Sequence, residues 1–432
     1  MVNSPAVSQV SHLDAIAAFH AELAGLPERH PRRLGLLAMR IGIIALTAAL
    51  PLGVAVQHMA LLGVALPGAL LARAPLHRMP GFRIAVAFVL WQVISLGFTL
   101  AQGTCSGSPQ GGLGLMYIWL AVPVALVAFS DLTVRRRALI AVAVTLTVST
   151  VLACLQFFIG RDNSAFLKIS WSGQDRLQHG VGFAPIHLTQ GYIMALLTLL
   201  FIHQRVIADP MPATQRWGIS VLAAMALLVS KARSALVALP VALAVGIAAR
   251  GGRRLLLGVA VLLLGMLISM LALISLDRAR FERMARQDDG RWAIWRISAH
   301  IIQDHPLIGC GGAEAFTQEY IRLFPLVNPG IDDETAGTGH AHAHNSLLTI
   351  ACEHGLPAMF LYLGFLGALL HAAWRMRVTW PQRWSLALAV TALALTAGMF
   401  ENLAAHTAPA YATWIALALA LSAGTREQDT AS

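Results

Sequence analysis

Apolar and polar positions in this chain come in long blocks, without the short alternation of strands or amphipathic surface helices. Crossing roughly 30 Å of hydrocarbon takes a helix of about 20 mostly apolar residues, and runs near that length recur from residue 34 to residue 423. The first, 34–72, is 39 residues long with Pro51-Leu52-Gly53 at its centre, which predicts two helices in a tight hairpin. Further runs lie near 84–101, 114–130, 138–159, 187–204, 217–230, 234–249, 255–275, 344–370, 385–400 and 408–423. The pattern predicts an all-α polytopic integral membrane protein of about 12 transmembrane helices.

The polar connectors test that count. Alternate ones carry Arg29, Arg32 and Arg33; Arg73, Arg78 and Arg83; Arg135, Arg136 and Arg137; Arg205 and Arg216; Arg250, Arg253 and Arg254; Arg375, Arg377 and Arg383; and Arg426. These are 18 basic residues on one side of the membrane if the count is right. Short arginine-rich connectors stay cytoplasmic, so both termini are expected inside. The expected organisation is a cytoplasmic segment 1–33, helices one to nine over 34–275, one large outside loop 276–343, helices ten to twelve over 344–423, and a cytoplasmic tail 424–432. Residues 1–33 lack an apolar core after a basic start and lack a small-residue cleavage site, so the first helix is expected to serve as its own insertion signal. Within the loop, Asp277 to roughly Asp304 reads as helix and Pro325 to Gly339 as irregular.

Composition agrees. The chain is 57% hydrophobic and 12% charged, with mean hydropathy +0.67, whereas a soluble domain carries about 25% charged residues. The net charge of +10 could suggest nucleic acid, but the arginines sit in connectors where they report topology, and no nucleic-acid partner is expected. Four cysteines show no CxxC or zinc spacing. Cys105 and Cys310 both fall outside, which leaves a disulfide open without supplying its geometry.

Several charges are not topological. Twelve basic residues lie outside against the rule: Arg161, Lys168, Arg176, Lys231, Arg233, and seven from Arg278 to Arg322. The loop also carries ten acids, so Arg278, Arg280, Arg283 and Arg286 fit a solvated helix laced with ion pairs. Lys231-Ala232-Arg233 occupies a three-residue turn between apolar helices at the membrane surface. Two cations there call for an anion such as a lipid phosphate, or they snorkel to headgroups. Snorkelling covers Arg40, one or two turns into the first helix. His340, His342 and His344 alternate, and an extended chain would point all three one way, toward a metal. No acidic or cysteine ligand is fixed beside them. Alternatively His344 and Asn345 open the apolar helix, where the positive end of the dipole favours the neutral imidazole that a general base needs. Glu353-His354, ten residues into that helix, is expected to face the bundle interior in a structural or a functional role.

His344-Asn345, followed by nine residues and Gly355, resembles the signature of bacterial O-antigen ligases. Their superfamily includes O-antigen polymerases and protein O-oligosaccharyltransferases. One departure is Ala358, where the pattern has Gly, Thr or Tyr. Ser230-Lys231-Ala232-Arg233-Ser234, Gly290-Arg291 with Trp295, Pro306-Leu-Ile-Gly309 with Gly311, and Gly180-Val-Gly-Phe-Ala-Pro185 are similar too. The resemblance implies a GT-C-type glycosyltransferase of the bacterial inner membrane with its active site on the periplasmic face. It would move a glycan from undecaprenyl diphosphate to lipid A-core oligosaccharide, inverting the anomeric centre with no metal and no cofactor. His344 would be the general base and Arg233 and Arg291 would bind the diphosphate, with Arg176 a further candidate. Lys231, Asn345, His342 and Arg296 are expected to support them. The chain has no Asp-x-Asp motif, which suits arginine in the electrostatic role. A polymerase or protein oligosaccharyltransferase of the same superfamily remains open. So does a transporter of lipid-linked sugars, although transporters place charge near the bilayer midplane and here it lies on the outer face.

Overall fold

The computed structural model describes residues 11–101, 117–159, 181–184, 186–203, 207, 211–251, 253–276, 291–329, 339–403 and 407–422. All regular structure among them is helical. Each apolar run becomes a helix: α2 (Pro31–Ala48), α3 (Val54–Ala72), α4 (Phe82–Ala101), α5 (Ile118–Ala128), α6 (Leu132–Ile159), α7 (His187–Ile202), α8 (Ala213–Ser230), α9 (Arg233–Ala248), α10 (Arg254–Leu276), α13 (Ser346–Arg375), α14 (Pro381–Gly398) and α15 (Thr407–Leu421). Three more helices lie outside the runs: α1 (Ser11–Ala24), α11 (Arg291–Asp304) and α12 (Ala313–Val327). Six helices (α3, α4, α6, α8, α10 and α13) are long and apolar enough to cross a membrane, and α5, α7, α9 and α15 are shorter apolar helices.

Burial sorts them into two classes. α5, α7 and α15 are buried on nearly every face, as helices apolar all round must be, and they form the centre. α10 exposes most of its leucines and forms a flank. α2 and α3 make the expected hairpin around Pro51-Leu52-Gly53. Their backbones close up because a Cβ on Gly35 would lie 2.5 Å from the Ala72 nitrogen, and one on Gly42 equally close to the Ala65 nitrogen. Small residues at such crossings allow the van der Waals contact that binds helices in lipid.

The contacts divide the bundle into two ends. At one end the connector arginines gather. Arg32 Nε donates to the Ala72 carbonyl at 3.2 Å, and Arg250 Nε to Ser385 Oγ at 3.3 Å. Arg135 and Arg383, both buried, donate to the Ser422 carbonyl beyond the last turn of α15, where the helix dipole favours cations. Arg40, expected to snorkel, reaches Asp131 in the connector before α6 at 2.9 Å. α1 lies across this basic end, burying Leu13, Ile16, Phe19 and Leu23, with His20 Nε2 2.9 Å from Ser130 Oγ.

At the opposite end a small second core forms. Ile294, Ile297 and Ile301 of α11 pack with Phe316, Tyr320 and Phe324 of α12, and with Cys310, Ala343 and Cys352. The expected helix from Asp277 is described only from Arg291, and the stretch expected to be irregular from Pro325 is helical through Val327. The unit is fastened through a break in α13. Gly355 is non-helical (φ 82°, ψ 169°), and Pro357 two residues on cannot restore the lost bonding. The freed backbone pairs with 306–311 instead: Cys310 N–H donates to the Cys352 carbonyl at 2.7 Å, Gly311 N–H to Glu353 at 3.1 Å, and Leu356 N–H to Pro306 at 2.8 Å. Gly309 and Gly355 have no room for a side chain there. Trp91 Nε1 and Ser95 Oγ of α4 donate to the His354 and Ile308 carbonyls at 2.9 and 2.7 Å. A full-length helix continues over 356–375 in the bundle, and 346–354 becomes part of the small unit.

Candidate active site

The histidine stretch runs between α12 and α13 and is held by the small unit. Thr317 Oγ1 donates to the His340 carbonyl at 3.1 Å, and Trp295 Nε1 to the Ala343 carbonyl at 3.2 Å. The helix does not begin at His344. Asn345 is its N-cap, Oδ1 accepting from Leu347 N–H at 3.0 Å and Leu348 N–H at 3.1 Å, as a capping asparagine does. His344 lies one residue before the cap with φ 47°. Histidine tolerates that left-handed conformation better than most residues, and such outliers gather at functional sites. The turn brings the His344 N–H to His342 Nδ1 at 3.2 Å and aims the ring at the end of α14.

There it meets a residue that the sequence did not single out. Glu401 follows α14, and its side chain is nearly buried. Its Oε2 lies 3.7 Å from His344 Nδ1, and its Oε1 lies 3.6 Å from an Arg291 Nη. One carboxylate therefore stands between the candidate base and a candidate diphosphate-binding cation. The Arg291 guanidinium also sits 5.7 Å from the centre of the Phe400 ring. Glu401 is positioned through its backbone: its carbonyl accepts from Ser346 Oγ at 3.0 Å, which in turn accepts from Leu403 N–H at 3.0 Å. Asn345 Nδ2 donates to Met399 O at 3.3 Å. The α13 cap and the end of α14 are thus laced together, and His344, Arg291 and Glu401 come from three elements.

The remaining expected residues divide. Lys231 closes α8 in a left-handed cap, with its ammonium 5.5 Å over the Phe157 ring. Arg233 is the first residue of α9, so the turn between the helices is Lys231-Ala232 alone. α9 and α14 run antiparallel with Gly246 packed against Ser385 and Ala389. Thirteen residues back along α9 and thirteen forward along α14, each about 20 Å of helix, place Arg233 level with Gly398, beside the segment that carries Glu401. Arg176 lies outside the described residues, and the chain resumes at 181–184. There Gln156 Oε1 accepts from Val181 and Gly182 N–H at 3.0 and 2.9 Å. Arg296 is exposed. It stands five residues, or about 140° of helix, from Arg291, and so faces elsewhere.

His340 and His342 pack edge to face on His344, with centroids 5.6 and 4.3 Å away. Among the described residues no three His, Cys, Asp or Glu side chains converge as metal ligands. Glu353 and His354 are buried at the break in α13, against 306–311. Cys310 is a buried thiol beside Cys352, and Cys105, the other half of the disulfide left open earlier, lies outside the described residues.

No curated protein matches this chain. Residues 218–363 match the family model described as O-antigen ligase. That stretch begins in α8 and ends in α13. It contains Lys231, Arg233, Arg291, His342, His344 and Asn345, while Glu401 lies beyond it. Residues 218–363, which carry the His344 and Arg291 that meet at one carboxylate, are thus similar to the O-antigen ligase family.

Proposed function

We propose that this protein is an O-antigen ligase, transferring a glycan from undecaprenyl diphosphate to lipid A-core oligosaccharide. The observation that carries the proposal is the meeting on Glu401 of His344 and Arg291, both of which lie within the residues similar to the O-antigen ligase family. An acceptor hydroxyl attacks the anomeric carbon and its proton passes to His344. As the new bond forms, the bond to the diphosphate breaks and its electron pair leaves with the diphosphate oxygen. Attack from the face opposite the leaving group inverts the centre. His344 Nδ1 faces Glu401, so Nε2 is the nitrogen that takes the proton. At 3.7 Å the carboxylate is too far for a hydrogen bond but close enough to stabilise the imidazolium as it forms. Arg291, with Arg233 at the same level, neutralises the departing diphosphate through charge-assisted contacts. Arg176 belongs to the same proposal.

In this proposal the basic end of the bundle with both termini is cytoplasmic, all twelve apolar helices span the inner membrane in a GT-C-type arrangement, and the site faces the periplasm. Purified protein incubated with undecaprenyl-diphosphate-linked glycan and lipid A-core should yield glycosylated lipid A-core. Extension of the donor glycan without transfer to lipid A-core would instead identify a polymerase.

A further inference from the structure

A second polar cluster lies at the same end of the bundle. His58 is the fifth residue of α3, about 6 Å from the start of that helix, where it widens into a π-helical segment over Met59–Ala65. Such segments are frequent at functional sites. His58 Nδ1 lies 2.7 Å from the Tyr117 hydroxyl and 3.2 Å from the Tyr411 hydroxyl. The three residues come from α3, the residue before α5, and the first turns of α15. All three elements start at the end of the bundle that holds Glu401. An ionisable side chain in a spanning helix is costly unless it has a function or a partner.

The geometry sets the chemistry. A ring nitrogen has one site, and two phenol hydroxyls face this one. Nδ1 is thus engaged within the cluster, and Nε2 is the ring nitrogen left to meet a ligand. Tyr411 is buried and Tyr117 half-buried, so they hold the ring. His58 is half-buried, and its Nε2 is not among the sealed polar atoms. It sits at the border of the exposed face of α3 formed by Ala55, Met59 and Leu62. A hydrogen-bonding ring nitrogen thus stands beside an exposed apolar surface near one end of the bundle. None of α3, Tyr117, α5 and α15 contains Lys, Arg, Asp or Glu. A phosphate would need a cation here, whereas neutral imidazole and phenols suit sugar hydroxyls. An amphiphile with a saccharide head and hydrocarbon tails matches both surfaces.

We propose that His58, held by Tyr117 and Tyr411, is a docking subsite for the saccharide head of the lipid-anchored acceptor, which enters along the membrane flank of α3. The proposal rests on the ligase function above for the identity of that acceptor. Tyr117 and Tyr411 are positioning residues, and His58 is the ligand-facing group.

Equilibrium binding to the full-length protein in detergent tests it, with purified lipid A-core and undecaprenyl diphosphate as separate probes. One neutral hydrogen bond corresponds to a roughly three- to tenfold change in binding. His58→Ala and Tyr411→Phe should each weaken lipid A-core binding by that factor and leave undecaprenyl diphosphate binding unchanged. His58→Gln, which keeps a hydrogen-bonding group, should recover part of the loss. Tyr411→Phe preserves packing, so it reports even if His58→Ala misfolds. Equal weakening of both probes, or no weakening of lipid A-core, overturns the subsite. Because binding is read apart from transfer, wild-type protein that binds lipid A-core through His58 yet never glycosylates it would refute the ligase function and leave the subsite standing.

Discussion

Replacing Gly355 by alanine tests whether the active site depends on the break in α13. Its backbone (φ 82°, ψ 169°) occupies a region open essentially to glycine alone, costing other residues about 1–3 kcal/mol. The added Cβ would also stand 1.9 Å from the Leu307 carbonyl oxygen and 2.3 Å from its carbon. Both are backbone atoms, so no side chain can rotate away, and 306–311 must shift. That shift breaks the hydrogen bonds of Cys310 with Cys352, Gly311 with Glu353, and Leu356 with Pro306, each worth about 0.5–1.5 kcal/mol net. The total, roughly 3–7 kcal/mol, rivals the stability of a whole small domain and falls on the one unit that carries Arg291 and His344. The bundle core is centred on α5, α7 and α15, and the seam meets the bundle through Trp91 and Ser95 of α4. Gly355→Ala should therefore insert and remain soluble in detergent, yet lose transfer at least a hundredfold. Cys310 and Cys352, buried in the wild type, should become reactive to maleimide in a background where Cys105 and Cys154 are serine. Wild-type transfer with both thiols protected would refute this account of the seam.

Other perturbations address the site and the basic end. Glu401→Gln removes the charge that stands 3.6 and 3.7 Å from Arg291 and His344, a Coulombic effect of about 1–4 kcal/mol near a protein surface, so kcat should fall roughly tenfold or more. Combined with Arg291→Ala it should cost less than the two separate losses together, since they share one carboxylate; additive losses would show the contact to be idle. Arg291→Ala or Arg233→Ala should each slow transfer at least tenfold, with lysine a poor substitute because it lacks the planar fork; full activity in both alanine variants would remove them from diphosphate binding. His344→Ala should lose roughly 10²–10⁴-fold while still binding donor, with His340→Ala and His342→Ala milder and EDTA without effect. Equal failure of all three, reversed by added zinc or manganese, would indicate a metal site instead. At the basic end, burial pushes His12 and His20 down to about 4, with Arg375 adding to the effect on His12 and Arg40 on His20, and Asp131 opposing it on His20. These groups bind fewer protons folded than unfolded, so the docking of α1 is strongest above the ordinary histidine pKa of 6.5 and weakens as pH falls from there toward 4. Labelling of a cysteine at Leu13 should rise across that window in the wild type and stay flat when both histidines are replaced by glutamine.

Much of the architecture was legible because it depends on local composition. A stretch of about 20 apolar residues becomes a helix wherever it lies, since unpaired backbone cannot remain in lipid, and α2 to α10 and α13 to α15 follow the runs. Among the described residues the connector arginines Arg32, Arg135, Arg250 and Arg383 do gather at one end of the bundle, each donating to a residue at or near the end of another helix. His344-Asn345 stood out as the polar opening of an apolar helix, whereas Arg291 stood out only through the family resemblance. What depended on distant partners was hidden. Arg40 finds Asp131 only after α2 packs beside α6. Gly355 could be noted as part of a motif, but the break it makes needs the backbone of 306–311 as its new partner. Arg296 stood near Arg291 in sequence, and helical rotation turned it to solvent. Glu401 gave no signal, being one acid after an apolar run. It becomes the centre of the site because α14 delivers it to the cap of α13, and only the packed chain brings together a histidine and an arginine that share one carboxylate.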